Sequence, residues 1–177
     1  CPRIHTLTSN LDNPWQPPAF CMLLRKHLEP SRLISLSQEG WDRILHLEFE
    51  TPAPGGALTT KTLILELMGR YSNLFLVDAQ NQILDVLKRY PQKGICPGGF
   101  YSPPPDQGKL EPPAVSREEF LEEIRLLPPN AALWKWIQST FQGFSKMGAQ
   151  EVLQRAGLDS QALRGDISRE HRLLIHS

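Results

Sequence analysis

Cysteine is scarce in this sequence: three among 177 residues, at Cys1, Cys21 and Cys96. They lie far apart and form no CxxC pair. That excludes a disulfide scaffold and a cysteine zinc site, and it points to a reducing compartment, the cytoplasm. Net charge is missing as well, with 19 Lys+Arg against 19 Asp+Glu. A surface that coats nucleic acid broadly is thereby excluded, while a local basic patch stays open. No apolar run is long enough to span a bilayer, so no membrane partner is expected. No signal peptide is recognisable, although a chain that starts without Met leaves room for a lost leader. The five histidines, His5, His27, His46, His171 and His176, form no HxH or HExxH spacing. There is no GxSxG and no P-loop, and Gly55-Gly56 and Gly98-Gly99 lack the strand-to-helix setting of a phosphate-cradling loop. Neither a metal nor a cofactor is expected, and no catalytic set emerges.

What is present centres on Trp41 to Asn73. Trp41-Asp42-Arg43-Ile44 opens one strand, in which Leu45, Leu47 and Phe49 alternate with His46, Glu48 and Glu50. That period of two predicts one apolar and one polar face. A second strand carries Leu63, Leu65 and Leu67 and runs into Glu66-Leu67-Met68-Gly69-Arg70-Tyr71-Ser72-Asn73. Antiparallel pairing would bring Asp42-Arg43 beside Glu66-Met68 at one sheet end. Such a set is either a salt bridge at a hairpin end or a binding site. In a binding site Arg43 can grip phosphate or stack on a base, Asp42 can accept from a base edge or a ribose hydroxyl, and Gly69 lets a partner approach the backbone. Asp42 and Glu66 could form an acid pair, but nothing nearby supplies a nucleophile or a metal.

Around this centre the chain reads as follows. Cys1 to His5 looks like the inside of a strand, and residues 5–16 read as loop. Pro17-Pro18 opens a helix with Phe20, Leu23, Leu24 and Leu28 on one face and Cys21 buried among them. Arg25, Lys26 and His27 fill its last turn, either complementing the helix dipole or facing phosphate. Arg32 to Ser37 is a strand. Pro52-Ala53-Pro54-Gly55-Gly56 joins the two central strands. Leu74 to Val77 and Ile83 to Leu87 form a hairpin across Asp78 to Asn81, followed by a second basic group of Lys88, Arg89 and Lys93. The result is a mainly antiparallel sheet with the first helix on or beside it. From Pro91 to Pro113, Pro97-Gly98-Gly99 and Pro103-Pro104-Pro105 forbid regular structure and predict a linker or an extended wrap, with Gln107 and Lys109 its only long polar side chains. A domain boundary falls near residue 110.

The remainder is helical. Ser116 and Glu119 form a capping box before Phe120, Leu121 and Ile124. Pro128-Pro129 ends that helix, and Asn130 is expected to cap the next, with Leu133, Trp134, Ile137 and Phe141 inward. Gly143-Phe144-Ser145 is a tight turn. Ser145 caps a third helix that packs through Met147, Val152, Leu153 and Ala156. Gly157 stops it, Leu158 closes it, and Asp159 caps a short helix beyond. Another helix begins over 168–177. Helix, short glycine turn and helix fit either a plain α-hairpin or a helix-hairpin-helix module, whose turn aims N–H groups at phosphate.

These residues carry a family likeness. Pro17 to Leu28 resembles the hallmark helix of the NFACT family, Asp42-Arg43-Ile44 its Asp-Arg motif, and Glu66 to Asn73 its second motif, usually written with His where Tyr71 stands. Leu84-Asp85, Lys88-Arg89, Pro97-Gly98, Pro103-Pro104, Gln107 and Lys109 follow in order, then Gly143-Phe144-Ser145 and Arg155-Ala156-Gly157-Leu158. Lys146 stands where proline is common. The resemblance implies an α+β fold: an antiparallel NFACT-N domain over 1–110, similar to MutM-type DNA glycosylases and lacking its front part, then an all-α helix-hairpin-helix module over 111–177. The family's coiled coil and NFACT-R domain are absent. It implies work in ribosome-associated quality control, on a large ribosomal subunit holding stalled peptidyl-tRNA. There aminoacyl-tRNA, alanyl-tRNA in bacteria, is recruited to extend the stalled peptide without a template. It implies tRNA contacts by Asp42, Arg43, Glu66, Leu67, Met68, Gly69 and Arg70, with Arg25, Lys26, Lys88 and Arg89 as phosphate contacts. Glycosylase chemistry would need an N-terminal nucleophile beside an acid; Pro2 follows Cys1 and has neither, so no enzyme is expected. The alternative is a fibronectin-binding surface adhesin, as a historical name in the family implies.

Overall fold

The computed structural model describes residues 3–9, 12–29 and 31–168. Cys1, Pro2, His171, His176 and nearly all of the helix expected over 168–177 lie outside the described residues. The chain divides into two compact units, Cys1–Pro104 and Pro105–Ser177.

The first unit opens with α1 (Ala19–Leu28), entered through Pro18 and ending in Arg25, Lys26 and His27. Pro18 suits an N-terminus because a missing N–H is harmless there. At the other end the Lys61 ammonium donates to the His27 carbonyl at 3.2 Å, satisfying one of the orphan carbonyls of the last turn. The helix lies by β2 and β5. Phe20, Leu23, Leu24 and Leu28 are half-buried, and so is Cys21, which the apolar pattern had placed in a core. Arg3, Ile4 and His5, expected inside a strand, take no place in the sheet, and residues 5–9 are irregular as expected.

Five strands follow: β1 (Arg32–Gln38), β2 (Ile44–Pro52), β3 (Leu58–Glu66), β4 (Asn73–Asp78) and β5 (Ile83–Val86). They form one antiparallel meander in chain order. The strand expected from Trp41 starts at Ile44 instead. Glu39 donates its N–H to Ile44 O and Asp42 donates to Glu39 O, so Trp41, Asp42 and Arg43 are spent in the turn.

Burial departs from the simple alternation. The face of Ile44, His46 and Glu48 looks polar, yet Ile44 and Ile64 there are 1% exposed and pack with Phe75, Val77, Ile83 and Val86. The cover comes from Met68, Ile95 and Tyr101. Two of these belong to the Pro/Gly-rich stretch, which is a wrap as far as Tyr101. Ile83 donates to Gly99 O, Gly98 donates to Ile83 O, and Tyr101 donates to Asn81 O, at 2.7 to 2.9 Å. The face of Leu45, Leu47 and Phe49 is half-buried, with Leu65 and Leu76 its enclosed members.

The second unit includes Lys109 and Leu110, which the boundary at residue 110 had left with the sheet. Lys109 donates to Gln138 O at 2.9 Å, and Leu110 pairs with Phe141. Helix α2 (Arg117–Leu126) carries the capping box of Ser116 and Glu119. Helix α3 (Leu133–Thr140) is capped by Ala132 without a side-chain bond, so Asn130 does not serve. Its neighbour Ala131 is tied into a turn by Pro128 O, and the helix starts two residues beyond. Trp136 is the buried tryptophan, set between a tilted Phe120 at 5.4 Å and an edge-on Phe141 at 5.5 Å, while Trp134 is partly buried against the same core. Helix α4 (Lys146–Arg155) is capped by Ser145, whose hydroxyl accepts from Gly148 N. Ala149 and Leu153 point inward, while Met147 is 76% exposed because it sits in the first turn on the outer side. Gly157 takes the left-handed conformation, and Leu158 N donates back to Leu153 O. Asp159 closes a turn rather than a helix. Among the described residues no helix is long and apolar enough to cross a membrane.

Candidate nucleic-acid interface

Register gathers three loops at one end of the sheet. Ile44 opposes Glu66, and Glu66 opposes Asn73. Just past the ladder, Leu67 N donates to Arg43 O at 2.8 Å, which fixes the Asp42-Arg43 turn against the Glu66 to Ser72 turn. Asn73 holds the third loop: its amide donates to Lys88 O at 3.0 Å and accepts from Lys88 N at 2.8 Å. Asp42, Arg43, Glu66, Leu67, Met68, Gly69, Arg70, Lys88 and Arg89 therefore converge on one rim.

The middle loop is a single tight turn. Tyr71 N donates to Met68 O, and the Ser72 hydroxyl donates to Gly69 O at 2.8 Å. Gly69 has φ +59°, and nothing lies within 4 Å of where its Cβ would be. The left-handed backbone calls for glycine, and the missing side chain leaves the main chain open to a ligand.

The cations of this rim differ in how free they are. Arg43 is exposed, and neither its guanidinium nor the Asp42 carboxylate has a hydrogen-bond or ion-pair partner among the described residues. The salt-bridge reading of these two side chains therefore does not describe the molecule. Arg70 lies 4.6 Å over the ring of Tyr71 and donates to its hydroxyl at 2.6 Å. Lys88 donates to Arg70 O at 3.2 Å. Arg89 is committed, with one guanidinium nitrogen 2.9 and 3.1 Å from both oxygens of the buried Asp85. Exposed rings stand among these charges: Trp41 beside Asp42, Tyr71 under Arg70 and Tyr90 after Arg89. Cations interleaved with exposed aromatics are the usual equipment for single-stranded nucleic acid.

The α1 cluster is placed elsewhere. His27 is anchored at Lys61, five residues along β3 from Glu66, or about 17 Å of strand. Arg25 and Lys26 are thus not gathered with the rim, though both are exposed. Burial, then Lys61 and Lys26, hold the His27 imidazole below its ordinary value, so it is a poor third cation. Lys93 is exposed in a short turn after Pro91.

Sequence reasoning missed the partner of Glu66. The Tyr101 hydroxyl donates to Glu66 Oε1 at 3.3 Å. Burial raises the Glu66 carboxyl above its usual range, and this hydrogen bond draws it partly back. Tyr101 is itself pushed up, first by burial, then by the Glu66 charge and hydrogen bond and by Glu39. His46, also unassigned beforehand, lies 3.1 Å from Glu39 and edge-on to Tyr101. Glu66 and Tyr101 are 35 residues apart, and no spacing motif links them. Among the described residues no three His, Cys, Asp or Glu side chains are grouped to hold a metal ion. What the rim offers is donors, acceptors, free positive charge and rings, a set suited to binding.

Comparison with known proteins bears on this rim. The family model described as NFACT N-terminal and middle domains matches residues 1–176. The protein named "Rqc2 homolog RqcH" of Bacillus subtilis is 36% identical over 162 residues, covering 88% of this chain and 28% of that protein. Mouse "Ribosome quality control complex subunit NEMF" is 37% identical over 86 residues, 49% of this chain and 8% of its own. The solved N-terminal domain of fibronectin-binding protein PavA from Streptococcus pneumoniae superposes with a TM-score of 0.66 at 32% identity, covering 84% of this chain and 59% of that one. The chain thus spans under a third of the length of the curated relatives it matches.

Proposed function

The chain belongs to the NFACT family, and from that premise we propose that it is the tRNA-holding part of a ribosome-associated quality-control factor. It engages tRNA at the rim of the sheet while the whole protein sits on a large ribosomal subunit carrying stalled peptidyl-tRNA. Alanyl-tRNA is the tRNA recruited, and template-free alanine addition is the outcome. The protein is not an enzyme in this reading: peptide-bond formation belongs to the ribosome, and the work is cytoplasmic. The observation that carries the proposal is the pairing of the Asp42-Arg43 turn with the Glu66 to Ser72 turn, with the Asp42 and Arg43 side chains left without a partner among the described residues. Free charge held in a fixed backbone frame is what a phosphate or base edge requires. Names of relatives that refer to ribosome quality control support the same reading. The helical unit is taken as a helix-hairpin-helix module, with the Gly143 to Ser145 turn between α3 and α4.

The test is co-sedimentation of the full-length protein with large ribosomal subunits, with the bound tRNA sequenced. Wild type is expected to enrich one tRNA family. Asp42→Ala with Arg43→Ala is expected to lose that tRNA while the fold, read by circular dichroism, is kept. Wild-type tRNA recruitment by a well-folded double variant refutes the site. Ribosome association with no tRNA refutes the tRNA-holding role.

A second reading has one observation in its favour, the name of the PavA neighbour as a fibronectin-binding protein. A fibronectin-binding adhesin requires surface display. Cell fractionation separates the two, because a chain found only with ribosomes is not displayed.

A further inference from the structure

We infer that Tyr101 is a positioning residue of the RNA-binding rim: it grips one oxygen of Glu66 and so fixes the other as an acceptor for an RNA donor. The inference rests on the tRNA-holding reading above and names a residue outside the motifs that carry it.

Three features of the structure support it. Tyr101 is itself rigidly set. Its N–H donates to Asn81 O at 2.9 Å, and its ring meets Phe75 edge-on at 5.0 Å. A hydroxyl so placed has little freedom and costs little entropy to aim. Glu66 is a long, flexible acid at the last ladder position of β3, half-buried beside the turn that ends at Ser72. Without a hold it would sample several rotamers. Its Oε1 accepts from Tyr101 at 3.3 Å, and its Oε2 has no partner among the described residues. That oxygen is not sealed from solvent, since the Ser31 hydroxyl alone is both buried and unpartnered among the described residues, so a ligand N–H or O–H can reach it in place of water. A nucleobase amino or imino group and a ribose 2′-hydroxyl are the RNA donors of the right kind.

The remaining ionisable groups around Tyr101 are on β2 and the turn before it. His46 lies edge-on to the ring with centroids 6.4 Å apart, and Glu39 is 3.1 Å from His46. Neither is bonded to Glu66, so the Tyr101 hydroxyl is its sole side-chain hold among the described residues.

The test uses the full-length protein and labelled, unfractionated tRNA at fixed salt, across a pH series. The variants are Tyr101→Phe, Glu66→Gln and the double. Tyr101→Phe keeps the ring against Phe75 and removes only the hydroxyl. It is expected to weaken tRNA binding by about tenfold to a hundredfold, the usual effect of losing a hydrogen bond to a charged group. It is also expected to move the acid limb of the binding profile to higher pH, because the bond that favours the ionised carboxylate is gone. In the Glu66→Gln background the same change is expected to have no further effect on either. A merely structural tyrosine would lower binding equally in both backgrounds and would leave the acid limb in place, and that result overturns the inference. So does wild-type binding and an unshifted limb in Tyr101→Phe. Absence of tRNA binding by wild type at every pH overturns the tRNA-holding reading itself, and the inference with it.

Discussion

Under the proposed tRNA-holding role, two basic clusters are candidates for the phosphate contact, and salt dependence separates them. On the rim, Arg43, Arg70 and Lys88 carry charge that no carboxylate among the described residues neutralises, whereas Arg89 is held by Asp85 at 2.9 and 3.1 Å. On α1, Arg25 and Lys26 are exposed in the last turn. Each cation that meets a phosphate releases counterions and adds about 0.7 to 0.9 to the slope of log affinity against log salt. Replacing Arg43, Arg70 and Lys88 together with Gln is therefore expected to flatten the slope by about 2 to 3. Between about 50 and about 150 mM KCl the wild type then loses about tenfold to twentyfold more affinity than the triple variant. Arg89→Gln is expected to change the slope far less. The assay is fluorescence anisotropy of labelled tRNA with the full-length protein over a KCl series. An unchanged slope in the triple variant refutes the rim as the phosphate contact. A larger change from Arg25→Gln with Lys26→Gln moves the contact to α1.

Arg89→Gln is instead a stability variant: it leaves the buried Asp85 without its cation, and because Arg89 is itself largely exposed the expected cost is about 1 to 2 kcal/mol in a urea melt. Leu153→Ala, at a position with 0% exposure, is expected to cost about 2 to 5 kcal/mol and to lower the melting of the helical unit. Glu66→Gln is expected to stabilise the fold at neutral pH. Burial raises the folded-state carboxyl above its ordinary 4.5, so the fold favours the proton and loses stability as pH rises through the raised value; an amide has no proton to lose, and the advantage of the variant disappears in acid. Glu119 has the opposite sign. Its carboxyl is held low by the Ser116 N–H first and the Ser116 hydroxyl second, so its contribution is present above the unfolded value and fades as pH falls, and Ser116→Ala, which keeps the N–H and loses the hydroxyl, is expected to shrink that acid limb in a thermal melt without abolishing it.

Much of this was legible because its determinants are local. The Pro18 entry to α1, the Ser116–Glu119 box and the Ser145 cap are set by residues a turn apart. The Asp42-Arg43 turn met the Glu66 turn as expected because antiparallel register follows from two nine-residue strands joined by a short loop. The failures share a cause. Met147 was placed inward by helical period, but which stripe faces the core depends on neighbours that the period does not reveal. Ala149 faces the core instead, and Trp136 joins the partly buried Trp134 there. Asn130 is a good cap by type but stands in a turn before the helix. The polar face of β2 became the covered one because a Pro/Gly-rich stretch, read for what it forbids, pairs along β5 and lays Ile95 and Tyr101 over Ile44 and Ile64.

That wrap also explains why a carboxylate at the rim can be useful. Glu66 in open water would keep its charge easily and bind a donor weakly, since water competes for both partners. Under Tyr101 it is partly desolvated, which disfavours its charge and strengthens any hydrogen bond it accepts. Stability and binding then pull in opposite directions at one side chain. Glu66→Gln should melt higher and hold tRNA less well, and the two effects should shrink together as pH falls toward the raised carboxyl value. Were the variant more stable but undiminished in binding, the charge at residue 66 would be a burden with no return, and the acceptor role of Glu66 would have to be abandoned.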